Sequence, residues 1–284
     1  MEIRNVCVVG CGLMGRQIGM NAAVCGYTVK LQDSFEKARE NAITWAEEYL
    51  AGRLAKGRMT EEQVADIKSR FAVCESLEEA AKDADLVIEA IIEVEDAKAE
   101  LFKKLSTIVR EDTILTTNSS FMVSSTFAHC VSNPGRLANM HYFNPALVMK
   151  LVEIVQGDHT SPETGAVLME YCRNTGKTPV LMKKELEGFV ADTIVKAIVE
   201  AAFFLVEKGY CTVEDVDIAC QNGLGHKMGP FKTMDLTGVD LAYTIREEHL
   251  KKTGEKMIGY DLLKTLYDQG RYGMKSGKGF YDYE

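Results

Sequence analysis

A glycine-rich loop near the start of the chain limits the possible folds more than any other feature. The stretch VVGCGLMG places Gly10, Gly12 and Gly15 in G-x-G-x-x-G spacing, after the apolar run IRNVCVV and before a helix-like segment at residues 12–25. A strand before such a loop and a helix after it are the context in which the loop binds a dinucleotide. Gly10 would make the tight turn, Gly12 would admit a pyrophosphate, and Gly15 would let the helix pack closely on the strand.

An acidic residue ends the second predicted strand, at residues 27–33. Asp33 lies eighteen residues after Gly15, where a carboxylate accepts hydrogen bonds from the ribose 2′-hydroxyl of NAD and repels the 2′-phosphate of NADP. No arginine follows Asp33 directly. The sequence therefore predicts an NAD site formed by the three glycines, by Leu13 and Met14 between them, and by Asp33.

Strand-like and helix-like stretches alternate through the first two thirds of the chain. The predicted strands are residues 3–10, 27–33, 71–74, 84–92, 113–118, 136–143, 149–157 and 178–184. Strands that alternate with helices are typical of a doubly wound, mostly parallel sheet. The predicted fold class of residues 1–186 is therefore α/β, as a Rossmann-type domain.

The pattern becomes helical in residues 187–284, which we predict to be an all-α domain. Helices are expected at residues 189–209, 229–251 and 259–270, and no strand is expected before GFYDY near the end. The segment 189–209 is apolar on more than one face, which is typical of a helix buried against a partner subunit. We therefore expect a homodimer.

The composition of the chain disfavours several classes of binding partner, among them nucleic acids and membranes. The 284-residue chain has a formal net charge of −9, whereas a nucleic-acid-binding domain typically carries a basic surface. The eight cysteines form no C-x-x-C pair, so we predict no metal and no redox site of that kind. The N-terminus has no signal-peptide pattern, and no apolar run has membrane-spanning length. These features indicate a protein of the reducing cytoplasm without a membrane partner.

His141 is the candidate proton-transfer residue. It lies in NMHYFNP, near the end of a predicted strand, and active-site groups of open α/β sheets gather beyond the carboxyl ends of strands. Glu153 stands among apolar residues in MKLVEIV, so its carboxylate needs a polar partner. A His–Glu pair would satisfy both groups and orient the imidazole as a general base. A core histidine bonded to a backbone carbonyl fits these residues equally well, and both interpretations stay open.

Several motifs occur together in a characteristic order along the whole chain. They are VVGCGLMGRQI, ADLVIEAIIE, ILTTNSS, NMHYFNPALVMKLVEIV, GFV, GLGHKMGPFKTMDLTGVD and SGKGFYDY. In this order they closely resemble the L-3-hydroxyacyl-CoA dehydrogenase family, and in particular its bacterial 3-hydroxybutyryl-CoA branch. The resemblance implies an NAD-dependent enzyme that interconverts 3-hydroxyacyl-CoA and 3-ketoacyl-CoA. It also implies a Rossmann domain followed by a helical domain that dimerises.

The resemblance also implies roles for single residues. His141 would remove the 3-hydroxyl proton, Glu153 would hold His141, and Ser120 would hydrogen-bond the substrate oxygen. Lys56 would contact the CoA phosphates, with Arg53 beside it. The residues implied at the cofactor are Glu93, Lys98, Asn118 and Asn144. Two simpler interpretations remain, in which Ser120 caps a helix and Lys56 is a solvated surface lysine.

One position departs from the family. Its next motif normally reads Gly-Phe-Val-x-Asn-Arg, but this chain has Asp192 and Thr193 at the last two positions. An ionised aspartate only accepts hydrogen bonds, so a donor to a thioester carbonyl would be lost. Aspartate at this position is similar to the related carnitine dehydrogenases. Two alternatives follow, namely a dehydrogenase of a non-CoA 3-hydroxy acid of the carnitine or gulonate type, and an NAD-binding protein without turnover.

Overall fold

A computed structural model describes residues 1–283. The chain divides into two compact units, Met1–Val190 and a second unit that starts at Ala191. The first is an α/β unit and the second is helical. The predicted boundary between residues 186 and 187 lies four residues before this division, which falls inside the first turn of a long helix.

An eight-stranded sheet forms the centre of the first unit. Its strands are β1 (Asn5–Val9), β2 (Thr28–Gln32), β3 (Phe71–Cys74), β4 (Leu86–Glu89), β5 (Ile114–Thr117), β6 (Leu137–Tyr142), β7 (Leu151–Val155) and β8 (Thr178–Met182). They lie in the order β3-β2-β1-β4-β5-β6-β7-β8. Within this fully described unit, β6 and β7 are antiparallel and every other neighbouring pair is parallel. The doubly wound, mostly parallel sheet is thus confirmed.

Helices cover both faces of this sheet. They are α1 (Leu13–Val24), α2 (Glu36–Ala55), α3 (Glu61–Arg70), α4 (Leu77–Ala81), α5 (Glu95–Ile108) and α6 (Pro162–Asn174). Local sequence fixes several starts, because a side-chain oxygen at the N-cap satisfies a free backbone N–H. Thr60 and Gln63 form a capping box at the start of α3. Ser76 caps α4, and Ser161 caps α6 with Pro162 in its first turn.

Strand residues alternate between two cores. In β1, Val6 and Val8 pack into one apolar cluster, whereas Cys7 and Val9 pack into the other. Successive side chains of a strand point to opposite faces, so a strand covered by helices on both sides is apolar throughout. Burial of each fully buried aliphatic side chain contributes about 1.5–3 kcal/mol to the stability of the folded chain, relative to exposure. The sheet that carries the carboxyl edge is therefore stabilised from both faces.

Two short 3₁₀ helices, Ser124–Cys130 and Pro134–Arg136, were not predicted. The first has no apolar period that would identify it. Contacts with distant residues hold it instead: Asn139 Oδ1 accepts from Ser124 N at 2.7 Å, and Glu185 Oε1 accepts from Ser125 N at 2.8 Å. A segment that depends on such distant contacts cannot be predicted from its local sequence.

Apart from a short 3₁₀ helix at Met274–Ser276, the described part of the second unit is built from five α-helices. They are α7 (Phe189–Glu207, which begins two residues before the unit), α8 (Val213–Gly223), α9 (Pro230–Thr237), α10 (Val239–Thr253) and α11 (Tyr260–Asp268). The single helix predicted at residues 229–251 is wrong, because Gly238 has φ +113° and separates α9 from α10. The strand expected at GFYDY is also wrong, since the described part of that segment forms only an isolated bridge.

Two buried carboxylates organise this helical unit. Asp217 accepts from the backbone N–H of Phe231 and Lys232 at 3.0 and 2.9 Å. Asp235 accepts from the N–H of Phe280 at 2.8 Å and from the Tyr283 hydroxyl at 2.7 Å. Burial, followed by the bond to Asp235, raises the pKa of Tyr283, so its hydroxyl stays a donor. The family-like motifs GPFKTMDL and GFYDY are therefore joined structurally through these carboxylates.

None of the helices in residues 1–283 is both long and apolar enough to cross a membrane.

Candidate active site

The glycine loop connects β1 to α1 in the geometry that a dinucleotide requires. Gly10 has φ +111°, and a Cβ there would lie 2.3 Å from the Ala90 carbonyl oxygen. A Cβ at Gly15 would lie 1.8 Å from the Gly10 carbonyl oxygen, so the helix can approach the strand only with glycine at this position. A Cβ at Gly12 would meet no described atom within 4 Å. The space above Gly12 can therefore admit a ligand.

Gly12 is also the N-cap of α1, and no side chain of the described residues caps this end. The free N–H groups and the positive end of the helix dipole favour an anion here. Leu13 is 49 % exposed and Met14 is half-buried on the first turn. The residues present therefore fit a pyrophosphate.

Asp33 stands beside the glycine loop at the end of β2. Its Oδ2 accepts from the backbone N–H of Cys11 at 2.8 Å, and its Oδ1 accepts from the N–H of Phe35 at 3.0 Å. Burial, followed by the charge of Asp33, raises the pKa of the Cys11 thiol to about 12. The thiol therefore stays neutral beside the Asp33 carboxylate.

His141 and Glu153 form the predicted pair. They lie opposite each other on the antiparallel strands β6 and β7, and His141 Nδ1 is 2.9 Å from Glu153 Oε2. Both are buried, at 5 % and 1 % exposure. The other carboxylate oxygen of Glu153 accepts from the backbone N–H of Val190 at 3.0 Å. A carboxylate that accepts this bond requires a proton on Nδ1, and in the neutral imidazole the lone pair then lies on Nε2.

Ser120 lies against that lone pair. Its Oγ is 3.0 Å from His141 Nε2, so the structure brings together the three residues expected to do the chemistry. Ser120 does not cap the following 3₁₀ helix, whose N-cap is Val123. The rings of Phe143 and Phe189 lie 4.7 and 5.4 Å from the imidazole, centroid to centroid. The alternative of a core histidine bonded only to backbone does not describe this arrangement.

Glu93 and Lys98 are joined in a buried charge cluster. Lys98 Nζ lies 3.1 Å from Glu93 Oε2 and 2.5 Å from Glu89 Oε1. Glu89, fully buried at the end of β4, also accepts from Thr117 Oγ1 at 2.6 Å and from the N–H of Ile91 at 2.8 Å. Two carboxylates and one ammonium leave a net negative charge, and the Glu93 side chain is the accessible part, at 39 %.

Sequence reasoning missed Glu89. An acidic residue inside the apolar stretch ADLVIEAII was the available signal, and it is the same signal that identified Glu153. A buried carboxylate in a strand needs a charged or hydrogen-bonding partner, and Lys98, which was expected only at the cofactor, is that partner.

Asn118 and Asn144 flank the same sheet edge. Asn118 follows β5, and its Oδ1 accepts from the backbone N–H of Tyr142 at 2.9 Å, which ties the ends of β5 and β6 together. Asn144 is exposed beyond the end of β6. Because strands β1 to β6 run in the same direction, their carboxyl ends place these residues, the glycine loop and His141 on one edge.

Arg53 and Lys56 lie at the end of α2. Lys56 is exposed and forms the helix C-cap, while Arg53 is half-buried, and its Nε has no hydrogen-bond partner among the described residues. One and two turns earlier on the same helix, the rings of Tyr49 and Trp45 stack at 5.4 Å, and Arg16 lies over the Trp45 ring at 5.0 Å. This face of α2 combines cations with flat aromatic surfaces.

Asp192 and Thr193 lie just beyond the point in the sequence where the chain divides into two units. Both belong to the second unit, in the first turns of α7. Asp192 is half-buried and Thr193 is exposed. Among the described residues, no group of three His, Cys, Asp or Glu side chains is arranged to hold a metal ion.

The comparisons with known proteins agree on one family. Residues 5–186 match the 3-hydroxyacyl-CoA dehydrogenase NAD binding domain, and residues 188–283 match the C-terminal domain of the same family. A probable 3-hydroxybutyryl-CoA dehydrogenase of Bacillus subtilis is 36 % identical over 100 % of this chain and 99 % of its own.

Two solved structures are similar over the full length of both chains. The (S)-3-hydroxybutyryl-CoA dehydrogenase of Ralstonia eutropha has a TM-score of 0.87 at 30 % identity. A diketoreductase has a TM-score of 0.87 at 28 % identity.

The glycine loop, Asp33 and the Ser120–His141–Glu153 group on one sheet edge define an NAD-binding dehydrogenase of the doubly wound class. The chain belongs to the 3-hydroxyacyl-CoA dehydrogenase family, across both of its domains.

Proposed function

We propose that the protein is an NAD-dependent dehydrogenase that interconverts (S)-3-hydroxybutyryl-CoA and acetoacetyl-CoA. The observation that carries this proposal is His141 held between Glu153 and Ser120 at the sheet edge that also bears the dinucleotide loop. Family membership and the names of the similar proteins support the substrate class.

The geometry supports one catalytic sequence. When bound, NAD⁺ supplies the hydride acceptor for C3 of the substrate. His141 Nε2 takes the proton of the 3-hydroxyl as the carbonyl forms, and Glu153 stabilises the resulting imidazolium through Nδ1. Ser120 turns its hydroxyl from the imidazole to the substrate oxygen and fixes its position. In the reducing direction, His141 returns the proton to the same oxygen.

The cofactor would be held by the backbone of the glycine loop and by Asp33. The N-terminus of α1 faces the pyrophosphate position, and Asp33 accepts from the adenosine ribose hydroxyls. Glu93, the accessible end of the charge cluster, would accept from the nicotinamide ribose. Asn118 and Asn144 line the same edge.

The basic end of α2 would bind the nucleotide part of CoA. Arg53 and Lys56 supply positive charge for phosphates, and a guanidinium binds phosphate through two parallel N–H bonds. Trp45 and Tyr49 offer stacking surfaces for an adenine ring. Lys56 then acts as a ligand-binding residue and not only as a solvated surface lysine.

We further propose a cytoplasmic homodimer. Helix α7 packs one face into the helical core through Ala202 and Phe203, yet Ile194, Val195 and Phe204 are large apolar residues on exposed parts of the same helix. Large apolar side chains that stay exposed on one helix are typical of a subunit interface. All eight cysteines lie within the described residues as free thiols, which a reducing compartment maintains.

A substrate panel tests the activity. The protein is mixed with NADH and acetoacetyl-CoA, and oxidation of the nicotinamide is followed by absorbance. We expect turnover with NADH and at least tenfold lower kcat/KM with NADPH, because Asp33 opposes a 2′-phosphate. Tight NADH binding without turnover of any 3-ketoacyl-CoA would contradict the proposal.

Asp192 favours a second candidate, a dehydrogenase of a 3-hydroxy acid without CoA, of the carnitine or gulonate type. The family asparagine can donate a hydrogen bond, and an ionised aspartate cannot. The similarity to a diketoreductase supports this class on the same fold. The panel therefore includes carnitine and gulonate with NAD⁺, and oxidation of either in preference to the CoA thioester would favour the second candidate.

A further inference from the structure

The residue before Ser120 makes three polar contacts through one atom. Ser119 is buried, and its Oγ donates to Glu93 Oε1. The same Oγ accepts from the backbone N–H of Met122 at 2.8 Å and of Phe121 at 3.3 Å. A hydroxyl has one proton and two lone pairs, so these three bonds use its full capacity. The turn that carries Ser120 is therefore fixed by the Ser119 hydroxyl.

The backbone of Ser119 has a second tether to the charge cluster. Its N–H donates to Thr117 Oγ1 at 3.2 Å, and Thr117 Oγ1 donates to Glu89 Oε2 at 2.6 Å. Glu89 and Glu93 share the Lys98 ammonium. The Ser119 side chain is thus bonded directly to Glu93, and its backbone N–H is linked to Glu89 through the Thr117 hydroxyl. These are the two carboxylates that hold Lys98.

We propose that Ser119 is a positioning residue that transmits the placement of Glu93 to Ser120, and through Ser120 to Nε2 of His141. This inference rests on the proposed function, because Glu93 is taken to meet the nicotinamide ribose. Ser120 is adjacent to Ser119 in the chain and lies 3.0 Å from His141 Nε2. No other residue between 118 and 123 links the charge cluster to this turn through a side chain in the described contacts.

Ser124 provides a matched control. It is also buried, lies in the same segment, and donates its Oγ to a glutamate, Glu185 Oε1, at 3.0 Å. Its carboxylate partner has no described contact with Lys98 or Glu93. The substitution Ser124→Ala therefore also removes a buried hydroxyl-to-glutamate bond, without touching the proposed connection.

Kinetics in two backgrounds test the inference. We expect Ser119→Ala to lower kcat about tenfold or more, the effect of roughly 1.4 kcal/mol on the barrier, while Ser124→Ala changes kcat less than threefold. In a Ser120→Ala background, Ser119→Ala should lower kcat less than threefold further, since its effect passes through Ser120. An equal fractional loss in both backgrounds would show a general structural effect and overturn the inference.

A measurement without substrate keeps the inference separate from the proposed function. The ¹⁵N chemical shift of His141 Nε2 is recorded at fixed pH in the absence of cofactor. Ser119→Ala should change this chemical shift by at least half as much as Ser120→Ala does, and Ser124→Ala should leave the shift unchanged. Glu93→Ala, which leaves the sequence of the turn intact, should move the His141 chemical shift in the same direction as Ser119→Ala. A His141 signal unchanged in both Ser119→Ala and Glu93→Ala would refute the inference, even if the enzyme is active.

Discussion

At the scale of single residues, the site depends on a buried imidazole with a partner on each nitrogen. Glu153 fixes the protonated nitrogen and Ser120 contacts the other. Neither partner alone would define a base, because the carboxylate sets the tautomer and the hydroxyl marks where the substrate oxygen must lie. The antiparallel pairing of β6 and β7 places His141 and Glu153 in register and so determines the pair.

Replacement of this base gives the first prediction. His141→Ala should lower kcat by about 10²–10⁴-fold, the usual contribution of a general base. NADH affinity, measured by fluorescence titration, should change less than threefold because the glycine loop is untouched. His249→Ala on α10 is the control and should retain full activity. Wild-type kcat in His141→Ala would remove this residue from the mechanism.

Asp192 gives a second prediction at this scale. If acetoacetyl-CoA is the substrate, Asp192→Asn should keep kcat/KM or raise it up to about tenfold, since the amide restores a donor. The comparison is made by steady-state kinetics with acetoacetyl-CoA and with the free hydroxy acids. A loss of more than tenfold with every CoA thioester, together with loss of another activity, would show that the carboxylate serves a different substrate.

At the scale of elements, close packing of α1 on β1 is the strictest requirement of the cofactor site. Gly15→Ala places a Cβ on the Gly10 carbonyl oxygen and must displace the loop. We expect NADH affinity to fall at least tenfold, with a lower Tm. Isothermal titration and thermal unfolding measure the two effects.

The matched control is a glycine whose Cβ would meet nothing. Gly52 lies inside α2, and no described atom lies within 4 Å of a Cβ built there. Gly52→Ala should stabilise the helix by about 1 kcal/mol and raise the Tm by about 2–4 °C, with NADH affinity unchanged. Equal NADH affinity in Gly15→Ala and Gly52→Ala would contradict the role assigned to the loop.

The motifs of the helical unit also belong to the scale of elements, where they hold segments of the chain together. Asp217 and Asp235 join the segments around residues 230 and 280 through backbone N–H groups and tyrosine hydroxyls. Gly229 and Gly279 lie where a Cβ would overlap these carboxylates. The two carboxylates therefore constrain these motifs, because they leave no room for a side chain at either glycine.

At the scale of the whole molecule, the exposed apolar residues of α7 predict a homodimer. The double substitution Ile194→Asp with Phe204→Asp should yield a monomer in light scattering, because two charges would be buried in an apolar interface. Ile43→Asp, on an exposed apolar position of α2, should leave the assembly unchanged. A monomeric wild-type protein would contradict the predicted dimer.

Much of the fold followed from short-range patterns. All eight strands of the sheet, the capping boxes at Thr60 and Thr212, and the glycine loop were predictable, because each depends on residues within one turn or one strand. The break at Gly238 was not, since glycine is tolerated within a helical pattern and only packing shows that it adopts φ +113°.

The sequence by itself determined the doubly wound sheet and the dinucleotide loop with Asp33, and it offered the His141–Glu153 pair as one of two interpretations. Only the tertiary structure brought Ser120 to the imidazole, buried Glu89 against Lys98, and placed Ser119 between that cluster and the base. The physical reason is the range of the interactions. Hydrophobic periodicity and helix capping act between residues a few positions apart. A buried polar network depends instead on which distant side chains can hydrogen-bond to one another once the sheet and its helices have packed.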